Sequence, residues 1–282
     1  MSLALAVTNQ LLRFLPVTTR TPESVLATAR TRVPAEPNAA IAEVAHIRRD
    51  GRLVHLDPKE GATGTHLVYL HGGCYTYPIL DRHWTMLATL VRDAGVTVTV
   101  PLYGLAPEHE MHEAYALLDA TVAEIRTDRL FLGGDSAGGG LALGQAMRMR
   151  DAGGVQPAGV MLVAPWLDVT LGNPEIAAVL PRERMLALPG LRAAGEWWSR
   201  GDVRSPLASP GLGDVTGLPP VHLVQGGRDI LLPDAVALAE RIRAAGGTVD
   251  LDLVAEGFHV FPAVPALPEA KRSLGRMAAF LR

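Results

Sequence analysis

Cysteine is almost absent from the 282 residues: Cys74 stands alone, which excludes an intrachain disulfide and any multi-cysteine zinc or iron–sulfur site. Lysine is scarce as well, with Lys59 and Lys271 the only two, so arginine supplies nearly all of the 26 basic side chains. With alanine abundant, we read this as compositional bias rather than function. No basic run stands out, and 29 acidic residues bring the formal net charge to −3, so nucleic acid is not an expected partner. No apolar run is long enough to span a bilayer. The segment Met1 to Leu15 is interrupted by Thr8, Asn9, Gln10 and Arg13, with no basic residue ahead of its apolar part. It reads as an amphipathic helix rather than a signal peptide, so a cytoplasmic protein without stable membrane insertion is expected. Repeats and low-complexity tracts are missing too. What remains, 48% hydrophobic and 20% charged, fits one globular domain. A chain of this length buries roughly three-quarters of its extended surface and needs no metal or disulfide to hold its core.

From about residue 40, short β-branched runs alternate with longer helical patterns, the signature of a mostly parallel sheet. The runs predict strands at Ile41–Ile47, Leu53–Leu56, His66–Leu70, Val96–Val100, Arg129–Leu132, Gly159–Val163, Val221–Val224 and Val249–Val254. The first two, around Asp50-Gly51, read as an antiparallel hairpin at the sheet edge. Apolar spacing of three and four predicts helices at His83–Asp93, Glu113–Arg126, Ala137–Asp151, Asp234–Ala245 and Pro268–Leu281. Two segments break the alternation, residues 1 to about 38 and 171 to about 215. The second holds five prolines, Trp197-Trp198 and helical patterns at Pro174–Leu180 and Leu191–Ser199, which predicts an ordered lid.

The strongest chemical signal is Gly134-Asp135-Ser136-Ala137-Gly138, between the apolar run Leu130-Phe131-Leu132 and a helical pattern. A Gly-x-Ser-x-Gly turn from strand to helix lifts the serine hydroxyl clear of the backbone. With seven serines and 29 glycines, chance yields roughly 0.07 such matches, so the strand–turn–helix context carries much of the weight. A plain glycine-rich turn is the bland alternative. A dinucleotide fingerprint fails on register, because Leu143 stands where the third glycine belongs.

His71-Gly72-Gly73-Cys74-Tyr75 follows the run Leu67–Leu70. Such a loop offers backbone N–H donors to a developing oxyanion, here from Gly72, Gly73 and Cys74, joined by Ala137 after the serine. A serine nucleophile also needs a histidine to take its proton and a carboxylate to orient that histidine. Only His222 and His259 lie beyond Ser136. His222 sits inside a strand, whereas His259 follows the last strand, where ligand sites of open α/β sheets lie, and is favoured. For the acid, Asp229 in Gly226-Gly227-Arg228-Asp229 is preferred over Asp168, and Asp234 reads as a helix cap. Cys74 reads as a small residue beside the oxyanion site rather than a nucleophile. His109-x-x-His112 lacks a companion carboxylate motif, so neither metal nor cofactor is expected.

Together, His71-Gly72-Gly73, Tyr103–His109, Gly133–Gly139, Ser205-Pro206-Leu207, Gly226–Asp229 and Gly257-Phe258-His259 resemble the hormone-sensitive-lipase-like branch of the α/β-hydrolases over roughly residues 40–282. The resemblance implies a single α/β-hydrolase domain with an eight-stranded, mostly parallel sheet, helices on both faces, and a helical cap from about 1–38 and 171–215. It also implies Ser136 as nucleophile, Asp229 as acid and His259 as base in a carboxylesterase. Three positions depart from the pattern: Gly104 replaces an arginine, Cys74 a third glycine, and Gly140 an asparagine.

The resulting expectation is a serine carboxylesterase for short- to medium-chain acyl esters, working through an acyl-enzyme, with Tyr75, Tyr77, Trp197 and Trp198 lining the pocket. Lactone or amide hydrolysis uses the same oxyanion chemistry and is the nearest rival. A non-catalytic small-molecule receptor is a remoter one, since a receptor has no use for all three triad groups. The expected partner is a small-molecule ester; the oligomeric state is open, a homodimer included.

Overall fold

A computed structural model describes residues 1–282. The strands are β1 (Ala45–Asp50), β2 (Leu53–Pro58), β3 (His66–Leu70), β4 (Thr97–Pro101), β5 (Leu130–Asp135), β6 (Gly159–Val163), β7 (Val221–Gly226) and β8 (Val249–Val254). They form one sheet in the order β1-β2-β4-β3-β5-β6-β7-β8. The β1–β2 and β2–β4 pairs are antiparallel and the other five parallel, so the hairpin at Gly51 does lie at the edge. Ten helices accompany them: α1 (Leu3–Leu11), α2 (Pro22–Thr31), α3 (Ala39–Val44), α4 (Asp81–Ala94), α5 (Met111–Glu124), α6 (Ala137–Asp151), α7 (Ile176–Val179), α8 (Leu188–Ser199), α9 (Leu232–Ala244) and α10 (Pro268–Leu281).

Strand alternation sorts the core into two layers. Leu67 and Tyr69 of β3 join the layer under α1, α3, α4 and α10, while Val68 and Leu70 face the layer under α5, α6, α8 and α9. Central strands β5, β6 and β7 are buried along their whole length, which is why they read as continuous apolar runs.

The main departure from expectation is at the first strand. Residues 39–44 are helical, and β1 starts only at Ala45. Asn38 caps that helix: its side chain accepts the Ile41 N–H, and its amide donates to Asp81 and Thr85 of α4. A cap anchored to a distant helix overrides an alternation that favoured a strand. The strands β5 and β7 also run two to three residues further than their apolar patterns, into their glycine turns.

The two segments outside the alternation make the following contacts. In the α1 region Ser2 donates to Glu269 of α10, and Asn9 donates to the carbonyl of Glu256, whose carboxylate pairs with Arg182 of the second segment. The stretch from about Thr18 to Arg32 meets the second segment directly: α2 packs on α8, and Ala187 N–H donates to Thr19 Oγ1 at 2.8 Å.

Trp84 of α4 is completely buried, and its indole N–H donates to the Ala35 carbonyl at 2.8 Å. Trp84→Ala should lower the unfolding free energy by about 3–5 kcal/mol, read from the denaturant midpoint. A loss below about 1 kcal/mol would mean that this layer does not depend on it.

Candidate active site

Ser136 occupies the turn between the fully buried β5 and α6. Its backbone is at φ 53° and ψ −121°, a region that a residue with a Cβ adopts only under constraint. The constraint is visible: Ser136 N–H donates to the Val163 carbonyl at 2.9 Å, and its own carbonyl accepts from Trp166 and Gly140. Gly138 must lack a side chain, because a Cβ there would collide with the Leu70 carbonyl of β3.

Two loops bring partners to this serine. His259 follows β8 and lies 2.9 Å through Nε2 from Ser136 Oγ. Its Nδ1–H donates to Asp229 Oδ2 at 2.8 Å, so Nε2 is left to accept the serine proton. Asp229 lies beyond β7 and is completely buried; it accepts further bonds from Gln225 Nε2 and Leu231 N–H. Burial pushes the His259 pKa down, but Asp229, with smaller help from Glu183 and Asp135, raises it above the ordinary histidine value. The alternatives lie elsewhere. His222 pairs with Asp250, and Asp168 accepts from Thr170 N–H and Ser209 Oγ. Asp234 does not cap its helix either; it sits inside the first turn of α9 and accepts from Asn173.

The loop after β3 is tied to the serine turn by Asp135. Its Oδ1 accepts from Tyr69 Oη at 2.6 Å and from Gly72 N–H at 2.9 Å, and its Oδ2 from His83 Nε2 at 3.3 Å. The Leu80 N–H donates to His83 Nδ1, which leaves the histidine proton on Nε2, facing the carboxylate. Burial raises the Asp135 pKa, but His83, Tyr69 and the Gly72 N–H outweigh it and hold the carboxyl below its usual range. Gly72 therefore drops out of the donor set expected for an oxyanion, since its N–H is already committed. The N–H groups of Gly73 and Cys74 have no partner in the protein, and that of Ala137, first in α6, has none within its helix. Gly73 at φ 131°, Cys74 at 46° and Tyr75 at 61° give the loop three consecutive residues at positive φ.

Ser136 and His259 open on a cavity of about 120 Å³. Thr18, Arg32, Met185 and Leu191 wall it from the two segments outside the sheet, and Gly73, Cys74 and Tyr77 from the β3 loop. Of the four aromatic residues expected there, Tyr77 alone lines it. Tyr75 and Trp198 stack face to face in the core, 4.2 Å between centroids, and Trp197 packs on the same core. Cys74 is buried beside Thr76, and burial pushes its thiol up to about 11, far from a reactive thiolate. Two family departures also find a cause: a Cβ at Gly104 would run into the His109 side chain, and one at Gly140 into the Trp166 carbonyl. His109 itself pairs with Glu113.

Glu183, which no motif marks, sits beside this site. It follows α7, is nearly buried, and accepts through Oε1 from the N–H groups of Arg184, Met185 and Leu186. Its Oε2 accepts from Ile230 N–H, one residue past Asp229, at 3.0 Å. Burial first, and the Asp229 charge second, raise its pKa. This carboxylate thus joins the 171–215 segment to the Asp229 loop. Glu183→Ala strips four N–H donors of their acceptor and should destabilise by roughly 1–3 kcal/mol more than Glu183→Gln, which keeps an accepting oxygen. Equal unfolding midpoints for the two variants would show that the joint carries no stability.

Residues 67–263 match the family model described as the alpha/beta hydrolase fold. An acetyl-hydrolase of Streptomyces hygroscopicus is 36% identical over 229 residues, spanning 78% of this chain and 76% of its own. An esterase of Acinetobacter venetianus is 30% identical over 231 residues, 79% of this chain and 76% of its own. The solved structure of an esterase from the bacterial hormone-sensitive lipase family superposes with a TM-score of 0.83 at 27% identity, covering 100% of this chain and 98% of that one. A sheet of this order, a strained serine at the β5–α6 turn and relatives of this kind agree: the chain belongs to the α/β-hydrolase family, in its hormone-sensitive-lipase-like branch.

Proposed function

We propose that the protein is a serine carboxylesterase acting on short- to medium-chain acyl esters, with Ser136, His259 and Asp229 as its triad. The observation that carries this reading is the unbroken hydrogen-bond chain from Asp229 through His259 to Ser136 beside a cavity. Ester cleavage by the related esterases supports it.

In the first half-reaction His259 Nε2 takes the Ser136 proton as Oγ attacks the ester carbonyl. The N–H groups of Gly73, Cys74 and Ala137 hold the oxyanion. The C–O bond to the alcohol breaks as His259 returns the proton to it. Water, deprotonated by His259, then attacks the acyl-enzyme and releases the acid. Asp229 stabilises the imidazolium in both halves. Residues from about Thr18 to Arg32 together with 171–215 act as the cap, and the small cavity beneath it favours short acyl chains.

Initial rates on p-nitrophenyl acetate, butyrate, octanoate and palmitate, with Ser136→Ala alongside, test the proposal. Turnover of the shorter esters and loss in the variant are expected; full activity in the variant refutes Ser136 as nucleophile. Silence on every ester shifts the reading to lactone or amide cleavage. Asp229→Asn should cut kcat about 10⁴-fold. A loss under tenfold there, with a large one at Asp168→Asn, would reassign the acid. The base works only when neutral, so kcat/KM should rise with pH through a limb above the ordinary histidine value. Glu183→Gln removes a negative charge that raises His259, so this limb should move to lower pH; an unmoved limb counts against the coupling.

A further inference from the structure

The cavity beside Ser136 has two unlike sides. Met185, Leu186, Leu191 and Val260 make an apolar wall, and Arg32 with Arg82 brings two positive charges to the same space. Neither arginine takes part in any ion pair of the protein. This is not for want of acids, since the chain has 29 acidic residues against 26 basic ones. Seven of the 24 arginines do form ion pairs, among them Arg148 with Asp119 and Arg276 with both Asp250 and Asp252, so what sets Arg32 and Arg82 apart is that both line the cavity beside Ser136.

The surroundings of the two arginines differ. The half-buried Arg32 lies over the Tyr77 ring, 4.2 Å from its centroid, which steadies the guanidinium plane and leaves its N–H groups uncommitted. Exposed Arg82 sits in the first turn of α4, the end of a helix that disfavours a cation. The two lie within Coulomb range of one another. Asp135 lies within Coulomb range of Arg82 and offsets part of its charge, but no carboxylate of the site forms an ion pair with either arginine. Asp135 is saturated by Tyr69, Gly72 and His83, Asp229 is tied to His259, and Glu183 to four backbone amides. Two guanidinium groups that converge on a cavity with no ion-pair partner of their own offer a receptor for an anion, and the planar guanidinium suits carboxylate or phosphate oxygens.

We propose that the ester cleaved at Ser136 carries an anionic group, of carboxylate or phosphate type, which Arg32 and Arg82 receive while an apolar part of the substrate lies against Leu186 and Leu191. This rests on the carboxylesterase reading and narrows its substrate class.

The test compares kcat/KM for para-acetoxybenzoate, para-acetoxyphenyl phosphate and neutral methyl para-acetoxybenzoate, which vary the alcohol side. Mono-p-nitrophenyl glutarate against p-nitrophenyl pentanoate varies the acyl side. An anionic ester should be preferred over its neutral counterpart by about tenfold, one charge-assisted hydrogen bond's worth. The preferred ester tells carboxylate from phosphate and shows which side meets the arginines. The preference should shrink with added salt, and it should collapse towards unity in Arg32→Gln/Arg82→Gln. Arg82→Gln alone, at an exposed position, gives a partial collapse should the double variant not fold. Neutral esters cut as well as anionic ones, or a preference that survives in the variants, overturns the proposal and leaves the esterase reading standing. No turnover of any of these esters, nor of the p-nitrophenyl series, overturns both.

Discussion

The site depends on the turn at Ser136. A serine at φ 53° is not a conformation the chain would choose, and it persists because its neighbours over-determine it. Parallel pairing of β5 with β6 holds its N–H, the start of α6 and Trp166 hold its carbonyl, and Gly138 lets α6 approach the end of β3. Moving any of these shifts the hydroxyl relative to His259. The sheet's order is thus part of the site, since β3, β5 and β6 must be adjacent for the turn to exist.

Asp135 extends that constraint to the loop after β3. One carboxylate, adjacent in sequence to the serine, takes bonds from Tyr69, Gly72 and His83, and so fixes β3, its loop and α4 to one point. Because it consumes the Gly72 N–H, the free amides begin one residue later, at Gly73. The same loop keeps its titratable groups in fixed states. Burial pulls His71 down to about 4, so it stays neutral at neutral pH, its ring stacked on Tyr103 and its Nδ1–H given to the Gly72 carbonyl. Burial likewise keeps the Cys74 thiol protonated. Asp229 instead raises His259 above the ordinary histidine value, at the one position where the proposed mechanism moves a proton.

The segment 171–215 is coupled to the sheet at two levels. Its α8 sets Trp198 against Tyr75, an apolar contact with ring planes 2° apart. Its Glu183 reaches the backbone beside Asp229, a polar contact close to the triad. Changes in the proposed cap are therefore felt electrostatically by His259 and sterically by the β3 loop. The relatives share the hydrolase scaffold, while the cavity's arginines and its apolar wall come from side chains that the fold itself does not dictate.

Sequence by itself determined the parts governed by local periodicity and by short motifs. β3, β6, β8, α6 and α10 have the ends their patterns imply, because buried parallel strands and amphipathic helices each leave a periodic trace. Ser136 was legible for a related reason: a strained strand-to-helix turn restricts the residues around it to glycine and other small types. His259 and Asp229 could be placed just past their strands by chain order. Only the tertiary structure decided the rest. Residues 39–44 became helical through a cap that holds on to α4, forty residues away in the chain. Tyr75 and Trp198 turned inward because aromatic stacking in the core was available once α8 docked. The competition for the Gly72 N–H, the reach of Glu183 to Ile230 and the meeting of Arg32 with Arg82 join residues 63, 47 and 50 positions apart along the chain. Contacts of that kind leave no periodic trace, because the hydrogen bond or Coulomb term that creates them exists only after the chain has closed.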